Sequence, residues 1–333
     1  MKILIISLSN LGDAMLTYPA IQGLREAYPG AEFHVLAGPK TRELFSGDPG
    51  FHKVWIWEKK ASFFTQIGLV LQLMRSGYKL VVDFKNTLIP FVLFGAKRTP
   101  FVRRFPPSMI HRADQHLSLI FSVGARPPKS LPRLPYGPEE ELKVQGWLNS
   151  AGTAPAGGYA AVVPGAKSHL KRWAPEKFAF VADKLSADWN MRILLVGGAE
   201  DKTETEAVQR AMKHRAVNLC GATSIRELAA LLARISVVIT NDTANLHAAQ
   251  LMGVPTVAVF GPTDEKKYGP RNPNSAVVRR KLVCAPCEKA LCAYDHECMR
   301  WIEPEEVYSS ALKVLGNKSV RAESFDVAQD RLV

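Results

Sequence analysis

The strongest constraint on this chain is a rhythm. A short, wholly apolar run leads into a polar loop and then into a stretch of helical period, and the pattern occurs in two separate blocks. In the first block Ile3 to Ile6 is apolar throughout, SLSNLGD follows, and Met15, Leu16, Pro19, Ala20, Ile21 and Leu24 then recur at helical spacing. His34 to Ala37 and Lys79 to Phe84 read as further strands, with a helical stretch from Phe63 to Met74 between them. Alternating strands and helices imply a parallel sheet with helices on both faces, whose strands read as continuous apolar runs.

Between Pro127 and Gly158 the pattern breaks. Pro127, Pro128, Pro132, Pro135 and Pro138, then Gly152, Pro155, Gly157 and Gly158, bracket one short predicted helix from Glu139 to Asn149. The rhythm then restarts. Ala160 to Val163 reads as a strand, Glu176 to Ser186 as a helix with Phe178, Val181 and Leu185 on one face, and Ile193 to Val196 as the next strand. Ser224 and Glu227 stand in capping-box spacing at the head of another helix. Strand VVIT, the loop NDTANLH, a helix to Met252 and strand TVAVF complete the block, and Pro304 to Leu315 is the last amphipathic helix. The expected fold class is α/β, with two Rossmann-like doubly wound domains, residues 1–150 and 157–315, and a polar, poorly ordered tail at 316–333.

A length of 333 residues suits two domains, and 47% hydrophobic with 22% charged residues is globular composition. The first apolar run is too short for a signal h-region or a membrane span, and Leu88 to Ala96 is also short and contains Pro90, so a cytoplasmic protein is expected. A formal net charge of +12 favours a polyanionic partner: nucleic acid, an anionic membrane surface or a phosphorylated substrate. No zinc-finger, homeodomain or aromatic RNP pattern accompanies the basic residues, so nucleic acid is not expected. The other reading of the charge is a solvated face.

Ligands of open parallel sheets bind at the carboxyl ends of the strands, and four loops there carry unusual polar residues. In the first, Ser9-Asn10-Leu11-Gly12-Asp13, Gly12 allows close backbone approach and Asp13 lies at or near a helix N-terminus, where the dipole favours its ionised form. Such a carboxylate can take a proton from a hydroxyl or can simply cap the helix. In the second, Pro164 to Glu176, Lys167, His169, Lys171 and Arg172 crowd a loop suited to a phosphate group, although the P-loop spacing is absent and solvated surface is the plainer reading. The third, Thr240 to His247, sets Asp242 and Thr243 where helix N-terminal amides are free, with His247 one turn on. The fourth is Gly197-Gly198-Ala199-Glu200-Asp201 with Glu204 one turn further, acidic residues that can bind ribose hydroxyls.

Three of these stretches, SLSNLGDAMLTYPAI, PGAKSHLKRWAPEKF and TNDTANLHAAQLMGVPTVAVFGPTD, resemble glycosyltransferase family 9, the ADP-heptose:lipopolysaccharide heptosyltransferases, over about residues 1 to 315. The resemblance implies the GT-B fold, two Rossmann-like domains facing a central cleft. The first domain would bind the acceptor and carry the base; the second would bind the nucleotide sugar. It implies Asp13 as catalytic base, Lys171 on the donor diphosphate, and Asp242, Thr243, Ala244 and His247 along the donor sugar and phosphates, with Glu204 on the ribose and Ser9 and Gly12 in the donor set. Many relatives have Gly at Ala244, where small size is the shared property. The implied reaction inverts a heptose from ADP-heptose onto the lipopolysaccharide inner core, and no metal is required.

Cys284, Cys287, Cys292 and Cys298, with His296 among them, point first to metal rather than disulfides in a cytoplasmic protein. The C-x2-C pair suits a structural zinc, while the irregular second half offers five candidate ligands for four places. A basic segment, Lys97, Arg98, Arg103 and Arg104 through His111 and Arg112, is interleaved with Phe94, Phe101 and Phe105. It is expected to bind the anionic acceptor at the cytoplasmic face of the inner membrane, against the alternative of a mobile surface loop. The competing functions are a GT-B enzyme with another nucleotide sugar or a protein acceptor, a sugar-nucleotide epimerase, and a non-catalytic nucleotide-binding protein.

Overall fold

Two all-parallel sheets carry the chain in the computed structural model, which describes residues 1–150, 152 and 155–316. The expected tail therefore lies, Gly316 aside, outside the described residues. The chain divides into two compact units, Met1–Pro135 and Tyr136–Val333.

The first unit runs β1 (Lys2–Ser7), α1 (Leu11–Met15), α2 (Tyr18–Ala27), β2 (Glu32–Ala37), α3 (Arg42–Ser46), β3 (Lys53–Ile56), α4 (Phe63–Arg75), β4 (Leu80–Asp83), α5 (Ile89–Val92), β5 (Lys97–Arg98) and α6 (Arg112–Phe121). Its strand order is β3-β2-β1-β4-β5. Ile3, Leu4, Ile5 and Ile6 are all fully buried, which is why the run is apolar without alternation. Each such side chain contributes roughly 1.5–3 kcal/mol by leaving water.

The second unit begins with α7 (Pro138–Ser150) and continues β6 (Tyr159–Val163), α8 (Pro175–Trp189), β7 (Arg192–Leu195), α9 (Lys202–Ala211), β8 (Ala216–Asn218), α10 (Ile225–Leu232) and β9 (Ile235–Asn241). It ends with α11 (Ala244–Leu251), β10 (Thr256–Phe260), α12 (Glu265–Tyr268), β11 (Ser275–Arg279), α13 (Glu297–Arg300) and α14 (Pro304–Gly316). Its strand order is β11-β10-β9-β6-β7-β8.

Several elements differ from the sequence expectation. The single helix expected after β1 is two, because Pro19 has no N–H for the helical ladder and its ring crowds the preceding turn; α2 restarts with that proline in its first turn. Thr17 closes the break, its hydroxyl donating to the Ala14 carbonyl at 2.6 Å. The helix expected between the domains, α7, sits on α10 of the second unit, through Arg226 Nε to Glu140 Oε1 at 2.6 Å and Lys143 Nζ to Glu227 Oε1 at 2.5 Å. The Arg226 guanidinium holds the Glu140 carboxyl down at about 2. The expected capping box forms: the Ser224 hydroxyl accepts from Glu227 N and the Glu227 carboxylate from Ser224 N.

In both sheets the chain runs outward on one side and then returns beside its first strand. The return falls between β1 and β4 in the first sheet and between β6 and β9 in the second. Loops leaving two such neighbouring strands diverge, opening the crevice in which doubly wound sheets take their ligands.

Candidate active site

In the first unit the crevice is bordered by the loops after β1 and β4. Ser9 and Gly12 are half-buried there. Asn10, not Asp13, is the N-cap residue of α1, and Asp13 lies within the first turn. The Asp13 side chain is 38% exposed, and Lys85 Nζ stands 3.9 Å from its Oδ2.

Lys85 was not among the expected site residues, and neither was the group that places it. Asp83 ends β4 as a buried carboxylate. It accepts from Lys85 N at 2.7 Å, Asn86 N at 2.9 Å, Thr87 N at 2.6 Å and Thr87 Oγ1 at 2.8 Å. These bonds wind the chain into a tight turn, with Asn86 at φ 60°, and fix where Lys85 leaves the sheet. An acid closing an apolar run with Thr four residues later was the sequence signal for it.

The four basic residues expected at the acceptor divide. Arg103 turns inward: Nη1 donates to the Phe84 carbonyl at 3.2 Å and Nη2 to that of Asp83, and burial lowers its pKa. Arg98 lies over the Phe91 ring at 4.3 Å. Lys97 and Arg104 are exposed. Lys97 and Arg98 are also more than a loop, since as β5 they pair in parallel with Leu80 and Val81. Behind them His116 packs edge-on against Phe84 at 5.2 Å. Burial, with Arg103, Arg112, Lys85 and His111 around it, lowers its pKa to about 3, so the ring is neutral.

In the second unit the crevice is bordered by the loops after β6 and β9. Lys171 ends a 3₁₀ turn, His169–Lys171, and its Nζ donates to Asp242 Oδ2 at 2.6 Å. Asp242 is buried. Thr243 caps α11, its hydroxyl accepting from Asn245 N at 3.1 Å. Ala244 opens the helix, half-buried, and His247 is buried one turn further on.

The basic loop is not one cationic face. Lys171 goes to Asp242, Arg172 Nη1 pairs with Glu204 Oε1 at 2.5 Å, and the His169 ring lies 5.8 Å from that of His296. Glu204 Oε2 remains buried with no hydrogen-bond partner among the described residues.

Asn241 is a further residue missed from sequence. Its Nδ2 donates to the Pro164 carbonyl at 2.7 Å and its Oδ1 accepts from Trp173 N at 3.2 Å, pinning both ends of the loop that carries Lys171. Asp201, buried, accepts from Gly198 N at 3.0 Å, and burial raises its pKa. It fills the space beside Gly165 and Gly197, where any Cβ would collide with it.

Cys284, Cys287 and Cys292 are half-buried and Cys298 is buried, all as free thiols. Burial, then the neighbouring Cys292, Cys287 and Cys284, push the Cys298 thiol up. Among the described residues no group of three or more His, Cys, Asp or Glu is set to hold a metal ion.

Residues 133–297 match the family model for glycosyltransferase family 9 (heptosyltransferase). The chain is 28% identical to lipooligosaccharide heptosyltransferase 2 of Campylobacter jejuni over 326 residues, 95% of this chain and 99% of the relative. It resembles the solved glycosyl transferase family 9 structure from Veillonella parvula with TM-score 0.80 at 21% identity, covering 94% of this chain and 97% of that one. The structure of Escherichia coli ADP-heptose lps heptosyltransferase II gives TM-score 0.76 at 22% identity, covering 96% and 100%. These structural likenesses establish the fold as GT-B, built from two parallel-sheet α/β units.

Proposed function

We propose that the chain, whose residues 133–297 match the glycosyltransferase family 9 model, is a glycosyltransferase of that family and moves a heptose from ADP-heptose to the inner core of lipopolysaccharide with inversion. The observation that carries the reading is Asp13: a half-exposed carboxylate at the crevice of the first sheet, inside the first turn of α1 and not at its N-cap position. Asp13 takes the proton of the acceptor hydroxyl as the oxygen bonds to the anomeric carbon. The bond from that carbon to the diphosphate oxygen breaks on the opposite face, and the leaving ADP carries the new charge.

Lys171 and the first amides of α11 meet that charge; Asp242 and Asn241 hold Lys171 in place beforehand. Fixed donors of this kind are worth about 10²–10³ in rate each. The buried, unpartnered Oε2 of Glu204 is suited to accept from a ribose hydroxyl. His247 and Thr243 line the donor in the second unit. Lys97, Arg98 and Arg104 take the anionic acceptor, while Arg103 shapes their loop. The acceptor is met at the cytoplasmic face of the inner membrane; among the described residues no helix is long and apolar enough to cross it.

Thermal melts with ADP, UDP, GDP and CMP test the donor. ADP at about 100 times its Kd adds roughly 2.7 kcal/mol of stability, a rise of a few degrees, and the others add little. A preference for UDP would replace the donor, and no response to any nucleotide would sink the proposal. ADP-heptose incubated without acceptor should remain unconverted, where an epimerase would convert it.

A further inference from the structure

Helix α4 is apolar on two sides, and only one of them is used inside the protein. Leu73 is its buried residue, and Leu69 packs beside it on the core cluster of Leu4, Ile6, Leu36, Trp55 and Val81. That side seats the helix on the sheet. On the other side Phe63 is 71% and Phe64 83% exposed, and Ile67, Leu71 and Met74 follow at spacings of three or four. A surface helix ordinarily turns polar residues outward. Here a groove of about 240 Å³ runs along the stripe, floored by Trp57, Ile67 and Leu71.

The neighbouring segment repeats the anomaly. Ile89 and Leu93 pack on the same core cluster as Leu69 and Leu73, while Leu88, Phe91 and Phe94 are exposed. The two segments therefore cover one face of the first sheet, and each shows solvent a set of large apolar side chains. Contiguous apolar surface of this kind marks an interaction site.

The charge around it selects the partner. From Glu58 to Arg112 the sequence has ten Lys and Arg against Glu58 at its edge and a single further acid, Asp83. That acid is buried, with its oxygens taken by the turn after β4. Lys59 and Lys60 precede the N-terminus of α4 and Arg75 ends it, all exposed. A second copy of the chain would bring these like charges together, which opposes association. An apolar stripe with a cationic border suits the interfacial layer of an anionic bilayer, where each Lys or Arg gains from the surface potential.

We propose that α4, with the α5 segment beside it, lays its exposed stripe into the headgroup and acyl boundary of an anionic bilayer, with Lys59, Lys60 and Arg75 on lipid phosphates. This rests on the membrane contact in the proposed function and identifies the surface that makes it. It does not rest on the transfer chemistry.

Flotation of the full chain with vesicles of phosphatidylglycerol and phosphatidylethanolamine is the test, with phosphatidylcholine vesicles for comparison. The wild type floats with the anionic vesicles only. Phe63→Ser/Phe64→Ser weakens vesicle binding roughly tenfold or more, in line with losing two large apolar groups. Lys59→Glu/Lys60→Glu weakens it comparably, and Leu142→Ser, an exposed apolar position on α7, leaves it unchanged. Unchanged melting temperatures confirm that the variants fold. Wild-type flotation by the phenylalanine variant, or equal binding to phosphatidylcholine, would overturn the assignment. So would a dimer in sedimentation that the phenylalanine changes dissociate. Transfer to a water-soluble acceptor is retained by the phenylalanine variant, so a failed vesicle result is separable from a failed enzyme assignment.

Discussion

The two sheets place the same pair of groups at the same point of their topology and hold them differently. In the first unit Asp13 and Lys85 stand 3.9 Å apart, with side chains 38% and 40% exposed. In the second Lys171 and Asp242 are 2.6 Å apart, with Asp242 at 8% exposure. The looser pair rests on a turn wound around Asp83, the tighter one on a loop pinned at both ends by Asn241. A general base must stay free to take a proton, so a loose, hydrated partner that orients it without locking it suits it. A cation that receives a leaving diphosphate is most effective when its position is set before charge develops.

The comparison breaks most sharply at Asp13. Asp13→Asn should lower turnover by roughly 10²–10⁴ with ADP binding unchanged, since it removes the proposed base and leaves the second unit intact. Single-turnover transfer and nucleotide melts, measured on the same preparation, check both halves. Near-normal turnover would end its assignment.

Lys171→Met comes next. It should lower turnover by about 10²–10³ and also destabilise the protein by roughly 1–3 kcal/mol, because Asp242 is left buried without its cation. Adding Asp242→Asn should return most of the stability and none of the turnover, separating the two roles of one lysine. Denaturant unfolding together with kinetics makes the distinction. Stability unmoved by Lys171→Met would mean that the pair is not locked.

Much of this contrast was readable from residue order. The central strands declared themselves as unbroken apolar runs, because burial on both faces demands it, and Asp13, Lys171 and Asp242 could be placed on the loops leaving them. The edges were harder. Lys53–Ile56 and Lys97–Arg98 are short and begin with lysine, as strands with one open side can, and nothing in their composition separates them from loop. What no local pattern could supply was tertiary partnership. Asn241 looked like a loop residue, yet it bonds to chain 77 and 68 positions away. Arg103 looked like its neighbour Arg104 until the structure turned it toward the carbonyls of Asp83 and Phe84. Arg172 and Lys171 are adjacent in sequence and serve different acids.

Lys85 offers the smallest and most discriminating measurement. An exposed pair at this separation is worth about 0.2–1 kcal/mol, so Lys85→Gln should lower turnover no more than about fivefold and leave the melting temperature unchanged. Lys85→Arg should restore most of the loss, because it keeps the charge. Raising the salt should bring the wild type toward the glutamine variant while leaving that variant's own rate nearly constant, since solvent ions screen an exposed pair. The same salt series applied to Lys171→Met should show no such convergence: a buried partner at 2.6 Å is screened far less than an exposed one at 3.9 Å. If Lys85→Gln instead lowered turnover a hundredfold, Lys85 would touch the substrate, and the loose pair would have to be redrawn as a second fixed cation.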